Sequence, residues 1–546
     1  MHENSPFDIV IIGGGLAGIT AALELLDQGL KIAIIDRDTK QNFGGLAKQA
    51  LGGMTLINTP IQRLNGIHDS PDRALRDWLS FAQFPEQAIW PKKWAELYVN
   101  RSVDDIYNWL KPKGIKFFPV PHWVERGEFG DGNSVPRYHI VWGTGHHLMQ
   151  TLITELKQHR NTKRLTCLFG HKAEALVMQN RSVAGVRGVV EKTGQAFELN
   201  APVVLVASGG INGNIERVKQ EWDKSWGNPP QNILNGAHEY ADGTLHDAVE
   251  KIDGKVTNLH QMWNYAAGIH HPDPSIPNEG LSLIPPKSAL WLDATGQRFG
   301  PMPLVTGFDT HLICKRIAMD PHGYSWQVMN WKIALKEIAV SGAESNPAFR
   351  NRRITQFARE ILLGNHRLLD YLAAECEDVV IGNSLEELVD KMNQLNATSQ
   401  TTVTGQVDLD TIRQSVESYD KQIDLGVEFH NDDQLRRIAQ VRNWRGDRSR
   451  TCKFEKILNK KSMPLVAFRE FIVSRKSMGG IQTDLESRVL SSAGTPIPGL
   501  YAAGEAAGFG GGGISGLKSL EGTFISNCIL NARMAVRSIN SQPLTP

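Results

Sequence analysis

The sequence has little that points to a strongly charged partner, a covalent framework or a membrane span. Its 546 residues carry 59 Lys and Arg against 58 Asp and Glu, a net charge of +1. No broad basic field is available to neutralise phosphates, which argues against a nucleic-acid binder. The five cysteines, Cys167, Cys314, Cys376, Cys452 and Cys528, are widely scattered. With no Cys-x-x-Cys pair and no Cys/His cluster at zinc spacing, neither a disulfide framework nor a structural metal is expected. No stretch reaches the roughly 18 apolar residues of a membrane span. The first apolar run, at Phe7, follows a short polar leader and meets glycines at once. A cytoplasmic protein of roughly two to four domains, acting on small molecules, is the expectation.

Glycine is the residue in excess, 51 of 546. It gathers in short segments at 13–18, 44–53, 209–213, 479–480 and 499–522. Residues 7–12 (FDIVII) form an apolar, β-branched run, which predicts a strand buried on both faces. The run passes directly into Gly13-Gly14-Gly15-Leu16-Ala17-Gly18, and residues 19–26 then carry a helical pattern. A second buried strand at 31–35 ends at Asp36, completing a β-α-β unit. Further on, 166–199 alternates like a small antiparallel meander with turns at Asn180 and Gly194, and 203–207 (VVLVA) predicts another buried strand. Aromatic-rich helices are expected over 70–110, with Trp78, Trp90, Trp94 and Trp109 in core positions. The composition then shifts. Residues 270–303 are rich in proline, and 325–392 reads as mainly helical. The chain divides on this reading into 1–264, an inserted 265–450, and 451–546.

The pattern Gly13-x-Gly15-x-x-Gly18 has a mechanism at each glycine. Gly13 permits the tight turn, Gly15 lets backbone approach a pyrophosphate, and Gly18 lets helix and strand pack closely. The pyrophosphate would sit on free N–H groups at the positive end of the helix. Asp36, at the end of the second strand, can accept the hydroxyls of a ribose. An ordinary glycine turn in an α/β domain is the plain alternative, and the strand before, the helix after and the acid beyond weigh against it.

Near the C-terminus, Gly499-Leu500-Tyr501-Ala502-Ala503-Gly504-Glu505 is followed by Gly516-Leu517-Lys518-Ser519-Leu520-Glu521-Gly522. Together with Phe43-Gly44-Gly45-Leu46-Ala47, Ala207-Ser208-Gly209-Gly210 and Met478-Gly479-Gly480, these segments resemble the FAD-dependent oxidoreductases that include fumarate reductase flavoproteins and 3-ketosteroid dehydrogenases. Within that family the chain is most similar to the group called FAD-binding dehydrogenases. The resemblance covers nearly the whole chain. It implies an α/β fold, a Rossmann-like FAD-binding domain discontinuous in sequence, with an α+β capping domain at 265–450. It implies cofactor contacts at Gly13, Gly15, Leu16, Ala17, Gly18, Asp36 and Arg37, and at Gly44, Gly45, Leu46 and Ala47. Further contacts are implied at Ala173, Ser208, Gly209 and Gly210, and at Gly504, Glu505, Ser519 and Leu520. Family members that attach FAD covalently use a histidine in the early Gly-Gly segment; 43–49 has none, so FAD is expected to be non-covalent.

Family chemistry is hydride transfer between flavin and a carbon of a C–C or C=C unit. Neither familiar active site is copied. Gly296-Gln297-Arg298-Phe299 resembles the turn before the fumarate reductase arginine, yet 300–306 contains no arginine, and Lys476 stands where a histidine precedes Met-Gly-Gly. At 464–467 (PLVA), valine replaces the tyrosine of ketosteroid dehydrogenases. By position, Tyr265, Arg137, His139, Arg475 and Lys476 are the catalytic candidates. Each has a plain reading as well: loop pinning for Arg137 and His139, core or hinge for Tyr265, solvated surface for Arg475 and Lys476. His270-His271 has no spaced carboxylate and predicts no metal site. The expected activity is dehydrogenation or reduction of a carbonyl-activated, apolar, ketosteroid-like substrate, with a quinone or redox protein as possible electron partner. Fumarate-type reduction with Arg316 supplying the proton, and a flavin sensor with little turnover, are the alternatives.

Overall fold

In a computed structural model, residues 7–541 are described, and they fall into two compact units. Unit 1 comprises the described residues up to Glu221, Ala237–Trp263, and those from Arg475 onward. Unit 2 comprises Trp222–Gly236 and Asn264–Ser474.

Unit 1 is built on a six-stranded sheet. In chain order its strands are β1 (Ile9–Ile12), β2 (Ile32–Asp36), β3 (Leu165–Phe169), β4 (Val203–Val206), β5 (Arg488–Leu490) and β6 (Pro496–Ala502). They lie side by side as β5-β6-β4-β1-β2-β3, parallel except for the antiparallel β5-β6 pair. Every residue of β1 and β4 is buried, as a parallel sheet covered on both faces requires. The chain leaves β1 toward β2 on one side while β4 lies on the other, so the order reverses at β1. Ligands bind beyond the carboxyl ends of the strands at such a switch point. Helix α1 (Leu16–Asp27) starts there, and the helix Thr523–Ser541 packs against it. The meander follows as expected: strands His171–Gln179, Ser182–Val190 and Ala196–Asn200 form a separate three-stranded sheet. Trp78 and Trp94 are fully buried, and their indole N–H groups donate to the carbonyls of Ile514 and Asp484.

Unit 2 combines a mixed sheet with helices, among them Ile354–Leu363, His366–Glu375 and Leu385–Thr398. The stretch expected to be mainly helical opens with the wholly buried strand Tyr324–Asn330. That strand pairs, residue by residue, with Leu465–Phe471. Residues 451–474, placed on sequence with the third segment, therefore belong to unit 2. Helical periodicity read over 325–392 missed the strand because all seven of its residues are buried, so no alternation marked it.

Candidate active site

The glycine loop after β1 shows why small residues stand where they do. Gly13 has φ +108°, and a Cβ there would lie 2.3 Å from the Ala207 carbonyl oxygen. A Cβ on Gly18 would lie 2.0 Å from the Gly13 carbonyl oxygen. A Cβ on Gly15 would meet nothing within 4 Å. Gly13 and Gly18 thus answer to packing, whereas Gly15 faces open space. The N-terminus of α1 has no side-chain cap and no acidic residue in its first turn, which leaves its N–H groups available to an anion.

That open space is a cleft with about 1140 Å³ of atom-free volume, part of it open to solvent. It is lined by Gly13, Gly15, Leu16, Ala17, Asp36, Arg37, Gly45, Leu46 and Ala47. Its walls continue through Ala173, Ser208, Gly209, Gly210, Gly504 and Glu505. Fifteen of the nineteen cofactor residues implied by the resemblance are thereby brought to one cleft. Gly18, Gly44, Ser519 and Leu520 stand outside it. Gly44 donates to the Gly14 carbonyl (3.1 Å), and Ser519 and Leu520 are buried, the Ser519 hydroxyl 3.2 Å from that of Thr523.

Asp36 already accepts from the backbone N–H of Gly14 and of Asp38, each at 2.8 Å. Burial pushes its carboxyl above the usual range, and those two N–H groups and His238 oppose the shift. A carboxylate offers about four lone-pair positions, so capacity remains for ribose hydroxyls. Arg37 is fixed by ion pairs to Glu191 and Asp242, and its guanidinium lies 4.5 Å from the Tyr240 ring centroid. At the far end, Glu505 accepts from the Ser477 N–H at 2.9 Å, and burial pushes its carboxyl up to about 7. A Cβ on Gly210 would lie 2.5 Å from that carboxylate, so only glycine leaves Glu505 its place.

The proposed proton-transfer residues separate. The Arg137 guanidinium is buried and donates to both oxygens of Asp69 (2.8 Å each), to Asp77 and to Asn133. His139 is buried, one ring nitrogen 2.8 Å from the Thr59 hydroxyl and the other 2.6 Å from the Arg137 carbonyl. Burial pushes its imidazole down to about 4. Both side chains are committed to internal networks. Tyr265, partly buried on the strand Met262–His270, lies in unit 2. Arg475 and Lys476 are partly buried in unit 1.

Lys476 has the more informative surroundings. Its Nζ lies 4.0 Å from Glu521 and 4.2 Å from the centroid of Phe524. Burial pushes its ammonium down to about 8, opposed chiefly by Glu521. The other Glu521 oxygen accepts from the Trp263 indole N–H at 2.7 Å. Tyr138 belongs to the same neighbourhood: burial and the Glu521 charge hold its hydroxyl well above the usual phenol range. Neither Glu521 nor Trp263 was given a role beside Lys476 on sequence. The one available signal was an acid inside the glycine motif 516–522.

In unit 2, His270 has the carboxylate partners its sequence surroundings did not offer. Its Nδ1 lies 2.8 Å from Asp378 and 3.1 Å from Glu377. Asp378 also holds the buried Arg469 at 2.9 Å, so its oxygens are already engaged in an ion-pair network.

A Rossmann-like sheet and a glycine loop opening on a cleft beyond its switch point are the parts of a dinucleotide-binding oxidoreductase. The chain belongs to the FAD binding domain family, whose match spans residues 8–525. It is 40% identical over 555 aligned residues to a KsdD-like steroid dehydrogenase of Mycobacterium tuberculosis, covering 98% of this chain and 96% of that one. Among solved structures, it is similar to a 3-ketosteroid Δ1-dehydrogenase from Sterolibacterium denitrificans, with TM-score 0.68, 15% identity, and coverage of 98% and 99%. It is also similar to a flavocytochrome c3 fumarate reductase, with TM-score 0.67, 18% identity, and coverage of 97% and 77%.

Proposed function

We propose that this dehydrogenase acts on the CH–CH group of an apolar, carbonyl-activated substrate of the 3-ketosteroid class, with Lys476 carrying the proton. The observation that supports this most is the alignment with the mycobacterial KsdD-like steroid dehydrogenase over nearly the full length of both chains. When bound, FAD supplies the hydride acceptor at its N5. Gly15, the α1 N-terminus, Asp36 and Glu505 are the groups proposed to hold it without a covalent bond.

Lys476 suits the proton's half of the reaction. A lysine lowered to about 8 is partly neutral near physiological pH, where a general base works best. Glu521 positions the ammonium once the proton has arrived and stabilises it. The Phe524 ring beside the amine and the Trp263 indole on Glu521 make the surroundings of Lys476 apolar, which supports an apolar substrate over a dicarboxylate.

The dicarboxylate alternative needs an arginine free to reach substrate. Arg316 donates to the carbonyls of Met302 (2.5 Å) and Gly300, which supports a role in holding that loop. A quinone or redox protein as electron acceptor, and a cytoplasmic location, complete the proposal. The test is anaerobic mixing of the yellow holoprotein with 3-ketosteroids, simple enones and, after reduction, fumarate. Bleaching by a ketosteroid, with fumarate failing to reoxidise the flavin, is expected. Reoxidation by fumarate that is lost in Arg316→Gln would transfer the assignment to the dicarboxylate reaction.

A further inference from the structure

The helix Ile354–Leu363 (ITQFAREILL) of unit 2 is amphipathic, yet none of its residues is buried. Phe357 turns inward, its ring 5.1 Å from that of Phe349. The flank of the helix next to Phe357 is apolar and open to solvent. Ile354, Ala358 and Leu362 are spaced i, i+4, i+8 and form one stripe along the helix. Ile354 is 59% exposed, Leu362 81% and the adjoining Leu363 62%. Isolated exposed leucines are ordinary, but large apolar side chains aligned along one helix call for a partner.

The charge around the stripe says which partner. Between Arg350 and Arg367 there are five arginines, Arg350, Arg352, Arg353, Arg359 and Arg367, against one acid, Glu360. That local excess of +4 sits in a chain whose total is +1. Arg352, Arg353, Arg359 and Arg367 are exposed. Helices with an apolar stripe flanked by arginines lie in the interface of a bilayer, leucines among the acyl chains and guanidinium groups on anionic headgroups. Among the described residues no helix is long and apolar enough to cross a membrane, so attachment by this helix would be peripheral.

We propose that the helix Ile354–Leu363 docks the protein on the surface of an anionic lipid bilayer. The apolar stripe supplies insertion and the arginines supply charge attraction. Neither a neutral membrane nor an acidic protein surface without apolar depth would satisfy both. Docking of this kind holds the enzyme where apolar small molecules partition. It does not depend on the identity of the substrate.

The test is cosedimentation of the FAD-loaded protein with vesicles of phosphatidylglycerol and phosphatidylcholine, compared with phosphatidylcholine alone. Binding to the anionic vesicles that weakens as salt is raised is expected. Leu362→Glu with Leu363→Glu should lower the apparent affinity by about tenfold or more. Arg352→Gln with Arg359→Gln should lower it by about fivefold per arginine. All variants should keep their flavin and their turnover of soluble substrate, which separates loss of docking from loss of fold. Absence of wild-type binding to anionic vesicles, or binding that both pairs of substitutions leave unchanged, would overturn the proposal. So would light scattering that finds a dimer dissociated by the leucine substitutions, because the stripe would then belong to a second copy of this chain.

Discussion

Glu505 and Lys476 are charged groups that burial drives toward neutrality from opposite directions, the carboxyl up to about 7 and the ammonium down to about 8. If Glu505 accepts hydroxyl groups of the cofactor, its ionised form binds FAD better, and affinity must rise as pH climbs through about 7. FAD fluorescence titrations between about pH 6 and pH 8 should give tighter binding at the higher pH, at most about tenfold per unit. Glu505→Gln should bind with little pH dependence, since an amide accepts but does not titrate. Equal slopes in both proteins would remove Glu505 from the cofactor site. His139 bears on stability instead. Its imidazole titrates near 4 in the fold against 6.5 when unperturbed. The unfolded chain therefore binds the extra proton between those values, and stability falls as pH drops through that window. The loss is about 3 kcal/mol once pH is below 4. Thermal melts of His139→Gln should show a shallower acid slope than wild type; parallel slopes would mean that the histidine does not titrate as its burial dictates.

At the scale of elements, the loop between β1 and α1 separates two kinds of glycine. Gly15→Val places its side chain in open space, so the fold should survive while FAD content drops sharply. Gly18→Ala drives a Cβ to 2.0 Å from backbone, so the protein itself should lose stability. Flavin-to-protein ratio and melting temperature, measured on both variants, separate the two; a Gly15→Val protein with full flavin content would refute the contact. This division was legible in the sequence because turn geometry and pyrophosphate approach are local demands on residues close together in the chain. The buried strands 9–12, 32–36 and 203–206 were legible for the same reason, as short apolar β-branched runs. Tyr324–Asn330 was not, because burial on every side erased its alternation and its pairing partner lies more than a hundred residues away. The Trp263–Glu521–Lys476 group and the Arg137 network were equally hidden. Each joins side chains from distant segments, and no spacing rule connects them.

For the whole molecule, the glycine excess, the parallel sheet and the cleft all converge on one long cofactor, and Lys476 is the base proposed for the carbon chemistry. The two proposals are independent: turnover is proposed at Lys476 of unit 1, and membrane docking at a helix of unit 2. The most direct measurement of the central claim is the rate of anaerobic flavin bleaching by a 3-ketosteroid across pH, in wild type and in Lys476→Met. The account predicts that the wild-type rate rises with pH and levels off above about 8, because neutral lysine is the base. In Lys476→Met, with flavin content unchanged, the rate should fall by about a hundredfold or more and lose that inflection. A Lys476→Met protein that bleaches at the wild-type rate, or a wild-type flavin that no ketosteroid reduces, would contradict it.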